Sequence, residues 1–390
     1  MWNIIIAGLT SLFTDISSEM IYPIISLYLI ALGAGPALIG MIEGIAESTA
    51  SLVKVFSGAW SDKIRRRKPL AILGYSFSTA GKFFMWAAGG WIFVFAGRTL
   101  DRLGKGIRTA PRDALIAESS NAEQRGASFG LHRAMDTLGA TIGVILAIVI
   151  MRHLNLNRGL HTAQNLRSYL PAFRYIILLS LAPAAAGIAI LFLVKETGTG
   201  KPLARTLSLK WSRLDRKLKA FLIVTLLFAL GNSSNQFLLI RAKDLGFSVE
   251  GVLLMYLVYN VVYDVFSWPA GRLSDKIGRK ALIVAGYAIY AIVYFGFGLA
   301  GSSSALWALF SVYGLSTAFT EGVEKALVTD IAPGDLKATL IGLHATLVGI
   351  GLFPASLLAG LIWDAVGPQY TFYFGGLMGA VAAIGMLIVL

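Results

Sequence analysis

The chain contains no cysteine, which excludes disulfides, thiolate metal sites and cysteine nucleophiles in one step. Histidine is scarce as well: His132, His153, His161 and His344 are all there are, and no two have the i, i+4 spacing of a helical zinc site. No metal and no cofactor is expected. A phosphate-binding G-x-x-x-x-G-K-S/T loop is missing, which argues against ATP as an energy source. Charge is short too: Asp, Glu, Lys and Arg make up 14% of 390 residues, against about 25% in soluble domains. The start lacks a basic n-region, short apolar core and small-residue cleavage site. Met1 instead runs into a full-length apolar stretch holding Asp15 and Glu19, so the first span is expected to be retained.

Apolar residues make up 56% of the chain. They gather into runs of about 20 residues, each long enough to cross about 30 Å of hydrocarbon. The runs cover 4–31, 38–57, 70–88, 91–118, 127–151 and 175–194, then 218–240, 249–268, 281–300, 305–330, 338–361 and 370–390. The expected fold is an all-α integral membrane protein with twelve transmembrane helices in two pseudo-symmetric six-helix bundles. Bundles at 1–195 and 218–390 would be joined by a linker at 196–217, basic and carrying Gly198, Gly200 and Pro202. A lateral helix over 203–219 is an equal alternative there.

The formal charge of +13 lies in alternate loops: Lys63 to Lys68, Lys201 to Lys219, and Lys276, Arg279 and Lys280. That distribution speaks for the positive-inside bias and not for nucleic acid, and it places both termini in the cytoplasm. Arg152, Arg158, Arg167 and Arg174 run against the bias.

The second half repeats the first. An offset of 213 aligns Leu32-Gly33 with Leu245-Gly246 and Ser61-Asp62-Lys63-Ile64 with Ser274-Asp275-Lys276-Ile277. One extra residue in the Arg65–Lys68 cluster reduces the offset to 212. Gly74-Tyr75 then meets Gly286-Tyr287, Ala114-Leu115 meets Ala326-Leu327, and Gly130-Leu131-His132 meets Gly342-Leu343-His344. Parallel six-helix repeats place a substrate site near the bilayer midplane and expose it alternately by rocking.

The segment Gly58-Ala59-Trp60-Ser61-Asp62-Lys63-Ile64-Arg65-Arg66-Arg67-Lys68 resembles the loop signature G-x-x-x-D-R/K-x-G-R-R/K of the major facilitator superfamily. Gly271-Arg272-Leu273-Ser274-Asp275-Lys276-Ile277-Gly278-Arg279-Lys280 matches it throughout, whereas the first copy has Arg65 where the family usually has glycine. Physically, a small residue lets helices approach, and an acid followed by basic residues makes an ion-pair latch at the membrane surface. The candidate latches are Gly58, Asp62, Arg66 and Glu118, and Gly271, Asp275, Arg279 and Asp330. The resemblance implies that Glu118 and Asp330 meet the basic loops. A solvated loop whose charges only set topology is the alternative.

Ionisable residues inside a membrane are expensive and mark pathways or paired acids. The fourth span carries Arg98, Asp101, Arg102, Lys105, Arg108 and Arg112. Arg102-Leu103-Gly104-Lys105-Gly106 is similar to the fourth-helix R-x-x-Q-G pattern of the superfamily, with lysine in place of glutamine, which implies a part in proton coupling for Arg102. Counter-charges are Asp15 and Glu19 on the first span and Glu43 and Glu47 on the second, each pair one turn apart. Glu19 aligns with Asn232 and Glu47 with Asn260, so the acids are concentrated in the first half. Arg133 and Asp136 are i, i+3 neighbours after His132. Glu321, Glu324 and Lys325 on the tenth span read mostly as local pairs. Asn232, Asn235 and Asp264 complete a candidate cavity.

These residues point to a secondary transporter that moves a small organic solute by alternating access, with protons as the partner ion. It would be multi-pass in the inner membrane and functional as a monomer. Efflux leads. Uptake or uniport of a metabolite stays open, because Gly139-Ala140-Thr141-Ile142-Gly143 is similar to only part of the glycine pattern of drug antiporters. A lipid-modifying enzyme lacks a nucleophile with a positioned base, so the chain is not expected to be an enzyme, and a transport-dead receptor lacks a signalling domain.

Overall fold

The computed structural model describes residues 2–64, 66–121, 125–158, 165–196, 215–301, 303–331 and 337–389. Among these, the first half contains α1 (Trp2–Ile21), α2 (Ile25–Ala31), α3 (Pro36–Ile64), α4 (Lys68–Trp86), α5 (Trp91–Glu118), α6 (Arg125–Arg158) and α7 (Leu170–Leu191). The second contains α8 (Arg216–Gly231), α9 (Gln236–Asp244), α10 (Val249–Ile277), α11 (Arg279–Leu299), α12 (Ser303–Ile331), α13 (Lys337–Ala365) and α14 (Pro368–Val389). Two spans are broken. Pro23 sits in a 3-10 turn, Tyr22–Ile24, between α1 and α2, where a residue without an N–H cannot continue the α-helical ladder. The segment from Asn232 to Asn235 separates α8 from α9. Fourteen helices therefore make the twelve expected spans.

Among the described residues, eight spans are long and apolar enough to cross a membrane by length and composition alone. Those built on α3, α4, α5 and α12 fall short because they hold the polar and charged residues. Phe83, Phe93, Val149, Ile292, Leu299 and Ile388 point outward from their bundles, as helices solvated by lipid require.

The chain divides into two compact units: Met1–Gly35 with Ile45–Ala204, and Pro36–Gly44 with Arg205–Leu390. Residues 197–214 of the expected linker lie outside the described residues, as do Arg65 and His161. The repeat is visible in the packing. In the first unit α1 packs on α6 and α7, and α4 on α5 and α7; in the second α8 packs on α13 and α14, and α11 on α12 and α14. Gly33 and Gly246, two residues past the ends of the aligned helices α2 and α9, have φ of 92° and 93°, the left-handed C-terminal cap that glycine adopts without strain.

One interface shows why glycine is needed. A Cβ on Gly74 or Gly104 would come closer than 3.0 Å to the other's carbonyl oxygen, and the same holds for Gly81 and Gly97. These two reciprocal pairs bring the α4 and α5 backbones into contact, the small-residue packing that replaces hydrophobic drive in lipid. Ser78 Oγ closes the contact by donating to Asp101 O at 3.0 Å.

Candidate functional site

The loops that follow α3 and α10 are held by ion pairs to helix ends. In the first unit Arg67 Nη1 lies 2.6 Å from Asp62 Oδ1, and Arg67 Nη2 lies 2.9 Å from Glu118 Oε1. Arg67 also donates to Ser61 Oγ at 2.7 Å. Burial opposes the charge of this guanidinium, but its hydrogen bonds to Glu118 and Asp62 prevail and hold its pKa above the ordinary arginine value. In the second unit Arg279 meets Asp275 at 3.6 Å and Asp330 at 2.5 Å.

The cation expected at Arg66 thus stands one residue later. Arg66 is exposed and takes no part in these pairs. The reason is the extra residue in the first loop: at the offset of 212, the counterpart of Arg279 is Arg67. Gly278 has φ of 92° and so serves a turn. Neither Gly58 nor Gly271 serves close helix approach, since a Cβ would meet Ala110 at 3.4 Å in one case and nothing within 4 Å in the other.

Below the first loop, α5 carries its charges into the bundle. Arg98 is 2% exposed. Glu47 on α3 bridges Arg98 Nη2 at 3.2 Å and Arg102 Nε at 3.1 Å. Asp101 lies 3.6 Å from Arg98 and 3.8 Å from Arg102, and the Tyr22 ring faces both guanidinium groups at 5.4 and 6.0 Å. Lys82 on α4 is buried and donates to Ser17 Oγ at 2.6 Å and Ser18 Oγ at 3.1 Å. Lys105 is exposed, and the described ion pairs do not include it.

A second group forms where α1, α5 and α6 meet. Asp15 and Asp136 stand side by side, close enough for their carboxyl groups to act on each other directly. Asp136 is also 3.7 Å from Arg133, which is itself mostly exposed. Ser11 Oγ lies 2.8 Å from His132 Nε2 and accepts from Arg112 Nη1 at 3.1 Å. Two carboxyl groups placed together inside a bundle repel when both are ionised.

The remaining expected residues are scattered. Glu19 is half-buried on α1 beside Gly143. Glu43, in the part of α3 that belongs to the second unit, is fully buried and accepts from Ser234 Oγ at 3.5 Å. Glu43 and Glu47, one turn apart, therefore serve different surroundings. In the second unit Asn235 accepts from Tyr313 Oη at 2.8 Å and reaches Tyr259 Oη at 3.5 Å. Asn232 ends α8, its N–H donating to Phe228 O at 3.0 Å, and Asp264 is half-buried on α10.

Sequence reasoning passed over two features. One is the tyrosine group around Asn235: Tyr259 stacks on Tyr313 at 5.1 Å and Tyr290 on Tyr294 at 4.0 Å. The other is Lys82, which its place as a lone cation in an apolar span could have signalled. Glu324, read with its neighbours mostly as a local pair, has its partners Tyr287 and His344 on other helices.

A family model described as Major Facilitator Superfamily matches residues 7–262 and again 221–390. An uncharacterized MFS-type transporter of Methanocaldococcus jannaschii is 35% identical over 99% of this chain and 94% of its own length. Multidrug resistance protein MdtH of Edwardsiella ictaluri is 23% identical over 85% of this chain and 79% of its own. The crystal structure of the nucleoside transporter NupG superposes with a TM-score of 0.76 over 100% of this chain and 99% of that one at 14% identity, a likeness of fold.

Proposed function

The chain belongs to the major facilitator superfamily, and from that premise we propose that it exports a small organic solute across a bacterial-type inner membrane in exchange for protons. The observation that carries the reading is the Asp15–Asp136 pair on α1 and α6. Two carboxyl groups at one place hold a proton between them, and any movement that separates the two helices frees it. Glu47 supports the same reading, because a single acid serving Arg98 and Arg102 can exchange one partner for an anionic group or a proton. Outward transport is favoured by the relative named for multidrug resistance. Both termini are assigned to the cytoplasm on the basic loops. The Arg67 and Arg279 clusters act there as latches, formed in one state and released in the other.

The test uses purified protein in liposomes holding a pH dye, challenged with lipophilic cations, organic anions and sugars. Solute-triggered proton flux is expected, and it is lost in Asp136→Asn and in Glu47→Gln. Flux undiminished in both variants sinks the site assignment. No flux with any compound that stabilises the protein thermally removes proton exchange and leaves a uniporter.

A further inference from the structure

One side of α10 takes no part in the candidate site or in the latches. Val261, Val265, Trp268, Arg272 and Lys276 follow one another at steps of three or four residues, which keeps them on one side of a helix. All five are exposed, Val265 by 60% and Trp268 by 69%. The other side of the helix buries Tyr256, Tyr259 and Ser274. The exposed stripe is ordered along its length: branched apolar side chains first, then an indole, then two cations near the helix end at Ile277.

The Arg272 guanidinium lies over the Trp268 ring, 4.8 Å from its centroid. Stacking uses the face of a guanidinium and leaves its in-plane N–H groups for another partner. No carboxylate claims either cation: among the described ion pairs, Asp275 and Asp330 go to Arg279 and Glu321 goes to Lys325. Asp264 stands eight residues before Arg272, about 12 Å along the helix. Arg272 and Lys276 are one turn apart, about 6 Å, so both can reach one phosphate group. Val261 to Trp268 covers about 10 Å of helix within the roughly 15 Å depth of one hydrocarbon leaflet, and tryptophan settles at headgroup level.

The repeat shows that the helix does not require this arrangement. At the offset of 213 the first half has Ser48, Leu52, Val55, Ala59 and Lys63 in these places. The indole and the guanidinium are missing there and only the last cation is kept.

We propose that this side of α10 binds an anionic phospholipid, its phosphate between Arg272 and Lys276 and its acyl chains along Val265 and Val261. A zwitterionic headgroup brings a cation of its own to two fixed cations, so the site selects lipids of net negative charge. The binding is independent of the solute carried and of proton exchange.

The test titrates purified full-length protein in neutral detergent with phosphatidylglycerol and reads the rise of the thermal unfolding midpoint. Phosphatidylcholine with the same chains and inorganic phosphate are the comparison ligands. Only phosphatidylglycerol is expected to raise the midpoint, with a half-saturating amount about fivefold higher in Arg272→Gln and likewise in Lys276→Gln. Lys63→Gln, at the equivalent place in the first half, is expected to titrate as wild type does. Equal titrations of folded wild type and the folded Arg272→Gln, Lys276→Gln double variant overturn the site, and so does equal stabilisation by phosphatidylcholine. Equal stabilisation by inorganic phosphate makes the ligand a free anion and overturns the lipid. Should the double variant not fold, phosphatidylglycerol brominated in its chains reads the same place by fluorescence. Wild type is expected to lose more tryptophan emission to it than to brominated phosphatidylcholine, and Trp268→Phe to show no such excess; an excess that persists in Trp268→Phe overturns the site. Loss of solute-driven flux in Asp136→Asn leaves these titrations untouched, so the two readings fail separately.

Discussion

The two bundles share helix pairings but are filled with opposite chemistry. Where the first has Lys82, Arg98 and Asp101, the second has, at the repeat offset of 212, Tyr294, Phe310 and Tyr313. Before the insertion, at the offset of 213, Asp15 corresponds to Phe228, which stacks on Tyr287 at 4.0 Å. Ions in one half are thus matched by stacked rings in the other, on one backbone plan. Ionic packing depends on every member, because a buried charge that loses its partner keeps its desolvation cost. Aromatic packing is spread over many contacts, each contributing little.

The largest expected contrast lies at Glu47 and its repeat counterpart Asn260. Glu47→Ala strands Arg98 and Arg102, and with Asp101 still near both it should cost about 3 kcal/mol. Asn260 Nδ2 is buried without a hydrogen-bond partner among the described residues, so Asn260→Ala should cost under about 1 kcal/mol. Thermal unfolding of the two variants in one detergent measures both; equal losses would break the comparison.

A smaller effect separates the helix contacts. Gly104→Leu forces a side chain against the Gly74 carbonyl and should cost about 2 kcal/mol. Its counterpart, Ser316, already donates to Gly286 O at 2.8 Å, and Ser316→Ala should lose only that bond, about 1 kcal/mol.

The smallest effect sharpens the loop assignment. Arg67→Ala removes pairs to Asp62 and Glu118 and should lower stability by about 1 kcal/mol, while Arg66→Ala should leave the unfolding midpoint unchanged. A larger loss from Arg66→Ala would reverse the assignment.

The span pattern and the repeat were legible in the sequence because lipid imposes length and apolarity on each helix. The loop cation was legible only in part: counting along the signature gives Arg66, whereas carrying the one-residue insertion through the alignment gives Arg67. Long-range pairs were not legible. Asp136 was readable as a neighbour of Arg133, which it is, but its approach to Asp15 joins helices far apart in the chain. Glu321 and Lys325 do pair locally, yet Glu324, about one turn after Glu321, is buried against Tyr287 and His344 on other helices. Spacing identifies which residues share a face; it does not say which helix that face meets.

The ends of the first bundle hold one more consequence. Asn3 Nδ2 donates to Lys195 O at 3.0 Å while Lys195 N donates back to Asn3 Oδ1 at 2.9 Å, and Trp2 Nε1 donates to Leu193 O at 3.1 Å. Glu196 accepts from the backbone N–H groups of Arg67 and Lys68 at 2.9 and 3.1 Å. The entry and exit strands of the chain are stitched side by side, so the six spans form a ring in which no connection is privileged. The order in which they are threaded is a record of the gene, and the bundle's integrity belongs to the circle.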